Sequence, residues 1–260
     1  MSRPVALVTG ASAGIGDAFA RLLAARAYNL VVVARDVARL EALAKELTST
    51  HKTEVEVLGA DLTDPAQVAT VETRLGSAES PVELLVNNAG FGLVGKAVDG
   101  DADGDRRMIA LNVDALVRLT HAALPAMVDR NRGGIINVAS LAAFQPTAEM
   151  AVYGATKAFV LSFSQAVYEE LRDTNVTMTC LCPGFTRTEF QERAGAEADR
   201  MPDFVWQSAE EVAEAGLAGF EKGRAVVLPG LLNKATAGIV SVTPTRITRR
   251  VAGLLARNFD

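Results

Sequence analysis

Seven short apolar, β-branched runs, separated by helical patterns of ten or more residues, constrain what this chain can fold into more than any other feature. They cover residues 5–9, 29–34, 54–58, 83–87, 134–140, 176–181 and 225–228. Runs that are continuously apolar, rather than alternating, mark strands covered on both faces, and strands alternating with helices predict a parallel sheet in a doubly wound α/β fold. Right-handed crossovers leave that sheet few topologies. A chain of 260 residues fits one such domain, since single cores stop growing at about 250–300 residues. Residues 1–228 are expected to form the domain, and 229–260 a basic, amphipathic helical extension of it. Helix starts are marked by Asp64-Pro65-Ala66-Gln67 and by the capping box Ser208-Ala209-Glu210-Glu211, whose helix Gly223 closes.

Composition narrows the function. With 49% hydrophobic and 22% charged residues the chain is an ordinary globular protein, and its net charge of −5 gives no basic field for nucleic acid. Residues 222–260 nevertheless carry seven Lys/Arg against one Asp, a local +6 that leaves −11 for the remainder. No uninterrupted apolar segment approaches the roughly 18 residues of a membrane span, and no charged leader precedes the first strand, so a cytoplasmic location is expected. Cys180 and Cys182 share one face of a strand with no further ligand nearby and are expected to be buried structural thiols, with no metal site. His51 and His121 lack triad or metal spacing.

Immediately after the first strand comes Thr9-Gly10-Ala11-Ser12-Ala13-Gly14-Ile15-Gly16, followed by a helical pattern to about Ala27. Glycines let a backbone turn sharply and approach a pyrophosphate, and the following helix presents unpaired N–H groups to the anion. This is a dinucleotide cradle, and the fold it implies is a single-domain Rossmann-type sheet with helices on both faces. The second strand ends in Ala34-Arg35-Asp36, where the adenosine ribose would arrive. Arg35 suits the 2′-phosphate of NADP. Asp36 either caps the next helix or turns to the free ribose of NAD, and Ser12 adds a hydroxyl that could reach the same phosphate.

Tyr153 and Lys157 stand four residues apart in Tyr-Gly-Ala-Thr-Lys, preceded by Ser140 at the end of an apolar run. On a helix that spacing places both side chains on one face. A free phenol titrates near ~10, and a cation within roughly 4–6 Å favours its ionised form. The pair therefore suggests a tyrosine acid/base, as carbonyl reduction requires.

With these residues in place the chain resembles the short-chain dehydrogenase/reductase family, of the type built on about 250 residues, over residues 5–228. Residues 9–16 resemble the family's cofactor turn. Asp61-Leu62 resembles the element that contacts adenine. Asn87-Asn88-Ala89-Gly90 is similar to the turn that steadies the central sheet and borders the cofactor, and Pro183-Gly184 with Thr186 and Thr188 to the nicotinamide-amide contacts. The resemblance implies a catalytic group of Asn112, Ser140, Tyr153 and Lys157. In it Tyr153 transfers the proton, Ser140 polarises the substrate oxygen, Lys157 binds nicotinamide-ribose hydroxyls and lowers the tyrosine pKa, and Asn112 holds a water linking Lys157 to solvent. Ala13 departs from the basic residue that many NADP-using relatives carry in this turn, which leaves Arg35 as the main evidence for NADP(H) over NAD.

Leu141, Phe144, Met150, Phe185 and Phe190, with Trp206 beside them, would border a hydrophobic ketone or alcohol, or pack on one another as an ordinary loop. Glu189, Glu192, Glu197 and Asp199 are expected to form a solvated face of that loop. Pro244 divides the tail from Leu231 to Phe259, with Lys234, Arg246, Arg249, Arg250 and Arg257, into two helices. These would pack on the subunit or an oligomer partner, or lie peripherally on a membrane. The family resemblance implies a homodimer or homotetramer built through the helices carrying Asn112 and Tyr153. The expected activity is NADP(H)-dependent interconversion of a ketone and a secondary alcohol. An NAD-dependent alcohol dehydrogenase and a non-catalytic dinucleotide sensor are the alternatives, and the intact catalytic positions speak against a sensor.

Overall fold

The computed structural model describes residues 3–195, 202–244, 246–250 and 253. Its seven strands are β1 (Val5–Thr9), β2 (Asn29–Ala34), β3 (Val55–Gly59), β4 (Val82–Asn87), β5 (Gly133–Val138), β6 (Val176–Leu181) and β7 (Val226–Val227). They form one parallel sheet in the order β3-β2-β1-β4-β5-β6-β7. Among the described residues the helices include α1 (Gly14–Ala25), α2 (Val37–His51), α3 (Pro65–Leu75), α4 (Ala102–Ile109), α5 (Leu116–Asp129), α6 (Ala151–Glu170), α7 (Phe190–Ala194), α8 (Ala209–Glu221) and α9 (Leu231–Val242).

Alternation along each strand feeds two cores. On β1, Ala6 and Val8 pack with Phe19 and Leu23 of α1 and Val212 and Leu217 of α8. Val5 and Leu7 face the other way, onto Val68 and Leu75 of α3 and Leu119 of α5. Burying a side chain the size of Phe19 or Leu7, both fully enclosed, contributes roughly 1.5–3 kcal/mol. This is the doubly wound sheet read from the sequence. Asp64 and Ser208 cap α3 and α8 as expected, the latter as a complete capping box.

β3, β4, β5 and β7 each differ from the expected runs by a residue or two, and two boundaries differ for identifiable local reasons. β5 ends at Val138 rather than at residue 140, because Ser140 Oγ accepts the Ala142 N–H at 3.1 Å and turns the chain into a 3-10 segment, Leu141–Phe144. The first helix ends at Ala25, short of Ala27, whose φ of 62° is left-handed.

Because β1 connects to β2 on one side and the chain then crosses to β4 on the other, the strand order reverses between β1 and β4. A crevice opens there at the carboxyl ends of the strands, the usual place for a ligand in such sheets. Beneath it, Asn87 Nδ2 donates to Asn137 Oδ1 (3.0 Å) and Thr120 Oγ1 (3.2 Å), locking β4 to β5 and α5. Among the described residues no helix is long and apolar enough to cross a membrane.

Candidate active site

The turn after β1 runs through Gly10 (φ 67°) and Gly14 (φ 57°), both left-handed. It is packed backbone to backbone: a Cβ on Gly16 would lie 2.2 Å from the Gly10 carbonyl oxygen, and one on Gly10 2.8 Å from Asn88 Nδ2. Asn88 braces the turn by donating to Thr9 O at 2.9 Å. Thr9 Oγ1 in return accepts the N–H groups of Asn88 and Ala89, both at 3.0 Å. Thr9 thus joins the two sides of the crevice, a role sequence reasoning missed because its partners lie some eighty positions away.

Ala13 is the N-cap of α1 and supplies no capping side chain, so the first amides of the helix have no side-chain acceptor. Such a donor set, at the head of a helix dipole and beside Ser12, fits a pyrophosphate. Ile15 instead packs into the core. Thr188 roofs the turn, its Cγ2 only 3.0 Å from where a Cβ on Gly14 would stand.

At the adenosine end Asp36 caps α2, accepting the Arg39 N–H at 3.0 Å. Arg35 is 75% exposed and lies 3.9 Å from Asp61 Oδ2, a guanidinium able to meet a phosphate. Asp61 Oδ1 is held by Thr63, through its N–H (2.9 Å) and hydroxyl (2.8 Å), and Leu62 is buried in the core, so any adenine contact from it is through backbone. Glu189 is not simply solvated. It accepts two hydrogen bonds from Arg39 Nη1, at 2.9 and 3.1 Å, and pairs with Arg193, tying the segment after β6 to α2. Glu192 is exposed, while Glu197 and Asp199 lie outside the described residues.

Tyr153 and Lys157 share the buried face of α6. Lys157 Nζ donates to Val138 O at 2.9 Å and stands 5.8 Å from the centroid of the Tyr153 ring. Ser140, on the turn after β5, lies close enough to the phenol to favour its ionised form. Asn112 sits in a π-helical turn, Ala110–Ala115, between α4 and α5, a distortion frequent at functional sites. Its side chain bonds the backbone of Phe91 in both directions (3.1 and 2.9 Å) and donates to Thr156 Oγ1 at 3.1 Å. Gly90 closes the group: a Cβ there would be 3.0 Å from Asn112 Oδ1 and 3.4 Å from Lys157 Nζ.

The expected lowering of the tyrosine pKa is absent from this arrangement. Burial pushes the Tyr153 phenol up to about 12, with the nearby Ser140 hydroxyl opposing. Burial also pushes Lys157 down to about 8, with the nearby thiols of Cys180 and Cys182 opposing. The ammonium is directed at Val138 O rather than at the phenol oxygen, so desolvation dominates both groups. The two thiols are free and buried, 3.8 Å apart, beneath the lysine.

On the open side of Tyr153, Phe190 packs its ring at 5.4 Å. A Cβ on Gly92 would touch Phe190 (2.9 Å), Met150 (3.1 Å) and Tyr153 (3.2 Å), so these side chains converge on one spot. Gly92 went unnoticed in the sequence because its role is purely steric. Leu141 and Phe144 follow Ser140 on the 3-10 turn, with Phe144 packed on the cluster under Cys180 and Cys182. Phe185 is turned to Trp206, 5.5 Å away, and the geometry does not bring it to Tyr153. Pro183 O accepts the Leu141 N–H at 2.7 Å, which sets the 183–188 loop beside Ser140. Thr186 is buried and donates to Gly184 O at 3.2 Å.

The short chain dehydrogenase profile matches residues 4–199. The chain belongs to this family. Its members are oxidoreductases that use NAD(P)(H) and act on alcohol and ketone groups. A short-chain dehydrogenase from Sphingobium yanoikuyae, solved in complex with NADPH, is 40% identical with a TM-score of 0.84, covering 93% of this chain and 96% of that one. A bulky-bulky ketone specific alcohol dehydrogenase from Comamonas testosteroni is 35% identical with a TM-score of 0.80, covering 94% and 96%. The sulfoacetaldehyde reductase of Chromohalobacter salexigens is 38% identical over 215 residues, 80% of this chain and 84% of its own.

Proposed function

We propose that this dehydrogenase interconverts a ketone and a secondary alcohol on a hydrophobic small molecule, with NADP(H) as its cofactor. The observation that carries the reading is the Tyr153 phenol, held in its acid form where Ser140, Lys157 and the Met150/Phe190 wall meet. A bound nicotinamide supplies or accepts the hydride. Tyr153 gives its proton to the carbonyl oxygen, and Ser140 hydrogen-bonds that oxygen and the phenol together. Lys157, within the same buried pocket, stabilises the phenolate left behind. The amides opening α1 and Ser12 hold the pyrophosphate, Asp61 and the backbone of Leu62 border the adenine, and Asn88, Ala89 and Gly90 line the crevice. The loop of Pro183, Gly184, Thr186 and Thr188 holds the carboxamide.

Support for NADP(H) comes from Arg35, exposed at the adenosine end and in a long 3.9 Å pair with Asp61, and from Asp36, which caps α2. The Sphingobium yanoikuyae relative binds NADPH. Met150 and Phe190 around Tyr153 favour a bulky apolar ketone, as named for the Comamonas testosteroni relative, over a small sulfonate. The exposed Ile109 and Phe159, on the helices flanking Asn112 and following Tyr153, offer apolar surface for a homodimer or homotetramer.

Calorimetric titration with NADPH and NADH, followed by a ketone panel, tests the reading. NADPH is expected to bind the more tightly, and Tyr153→Phe to lower turnover by about 10²–10⁴ with NADPH affinity kept. Turnover near wild type in that variant would refute the proton-transfer role.

A further inference from the structure

The tail beyond β7 need not be only a packing or docking element, because one of its side chains reaches the loop beside the catalytic serine. Asn233, in the first turn of α9, is 7% exposed. Its Nδ2 donates to Pro229 O at 2.7 Å and to Gln207 Oε1 at 2.9 Å. Gly184 lies directly against it, since a Cβ on Gly184 would stand 2.5 Å from Asn233 Oδ1. Any other residue at 184 would collide with this amide.

Gln207 in turn grips the same loop along its backbone. Its N–H donates to Phe185 O at 3.0 Å, its carbonyl accepts the Arg187 N–H at 2.9 Å, and it pairs with Thr186 as a parallel bridge. Gln191 Nε2 adds a bond to Thr186 O at 2.9 Å. On the opposite side, Pro183 O is held by Leu141 N–H, and α9 itself packs on the 3-10 turn that carries Leu141. Residues 183–188 are therefore clamped between the Ser140 turn and a chain of contacts that starts at Asn233.

We propose that Asn233 is a positioning residue for the nicotinamide half of the cofactor, making α9 part of the site. The inference rests on the oxidoreductase reading above, in which the 183–188 loop holds the carboxamide. Asn233 touches no reacting atom. It fixes the loop's backbone through Gln207 and Gly184, and with it the distance between nicotinamide and substrate. Displacements near 1 Å in such geometry can lower the rate by about a hundredfold.

The test separates the two halves of the dinucleotide. NADPH reports both ends, while 2′,5′-ADP reports only the glycine turn and Arg35; should NADH be the tighter ligand, NADH and ADP replace them. In Asn233→Ala, and in the isosteric Asn233→Asp, which loses the donor, the NADPH dissociation constant is expected to rise about tenfold. That for 2′,5′-ADP should change less than twofold, with kcat falling further. The fluorescence of bound NADPH, which senses the nicotinamide environment, should shift in the same variants. If Asn233→Ala does not fold, Gln207→Ala removes the acceptor of the same bond from a half-buried position and carries the same measurements.

NADPH affinity and kcat within twofold of wild type would overturn the proposal, and so would equal weakening of both ligands, the mark of a general loosening. Failure of the wild-type protein to bind any of these nucleotides would instead strike the oxidoreductase reading.

Discussion

Replacing Lys157 with methionine should make the protein's stability respond differently to alkaline pH. Lys157 is buried, 5% exposed, and burial lowers its pKa from an ordinary value near 10.5 to about 8. A displacement of that size corresponds to about 3 kcal/mol between the two protonation states. Below pH 8 folded and unfolded chains both carry the proton, and the folded state bears the whole cost of the buried charge. Between about pH 8 and 10.5 the folded chain has released the proton while the unfolded chain keeps it. The unfolded state then binds more protons, and stability rises with pH by up to about 1.4 kcal/mol per unit. Above that window the cost is gone. Methionine fills a similar volume without a charge, at the loss of the hydrogen bond to Val138 O. Urea unfolding followed by the fluorescence of the single tryptophan, Trp206, at intervals from pH 7 to 10.5, measures both proteins. Wild-type stability minus that of Lys157→Met should climb by about 3 kcal/mol across this range, other titrations being common to both. A difference that stays flat would show that the ammonium is solvated and that the reasoning about its burial is wrong.

The elevated phenol pKa also gives the reaction a direction in pH. Alcohol oxidation, which needs the phenolate, should speed up from pH 7 to 9.5 while ketone reduction does not, and a reduction rate that rises with pH would contradict it. Arg35→Ala should weaken NADPH by about tenfold and NADH hardly at all, as a charge-assisted contact with a phosphate implies; equal weakening in calorimetry would remove the 2′-phosphate assignment. Gly92→Ala puts a methyl group 2.9 Å from Phe190 and 3.1 Å from Met150, so kcat/KM should fall more for bulky ketones than for small ones across a substrate series. Uniform loss would place the substrate elsewhere.

What the sequence made legible was whatever depends on spacing along one element. The glycine turn, the strands and the Tyr153/Lys157 pair each follow from residues a few positions apart, where helix or strand periodicity converts spacing into geometry. Features set by long-range packing were not legible. Leu-Asn-Val-Asp around Asn112, taken alone, suggests a helix N-cap, whereas the asparagine sits inside a wide π turn and bonds Phe91 and Thr156. The Ser140 turn arises from a hydroxyl that competes with the strand for a backbone amide. Arg39 and Glu189 meet across 150 positions, and Asn233 reaches Gln207 across 26, with no pattern linking either pair. The tail's sequence pattern gave no sign that one polar residue in the first turn of α9 reaches the loop beside Ser140.

The pKa of Tyr153 carries the same lesson into chemistry. A tyrosine four residues before a lysine suggests a cation that lowers the phenol's pKa in the resting enzyme, yet burial drives both groups toward neutrality, the phenol upward and the ammonium downward. At neutral pH the pocket then holds a protonated phenol beside a charged lysine, a net positive charge in a medium of low dielectric. That charge does little for a neutral phenol. As the proton moves to a substrate oxygen and negative charge builds on the tyrosine, the attraction to Lys157 grows with it, unscreened by water. The lysine thereby favours the transition state over the ground state, which is the condition for raising kcat rather than merely tightening binding. Lys157→Met should accordingly depress kcat for reduction more than it raises the KM for the ketone. If the lysine served only to hold the cofactor, the loss would fall on the NADPH dissociation constant, and saturating NADPH would restore the rate.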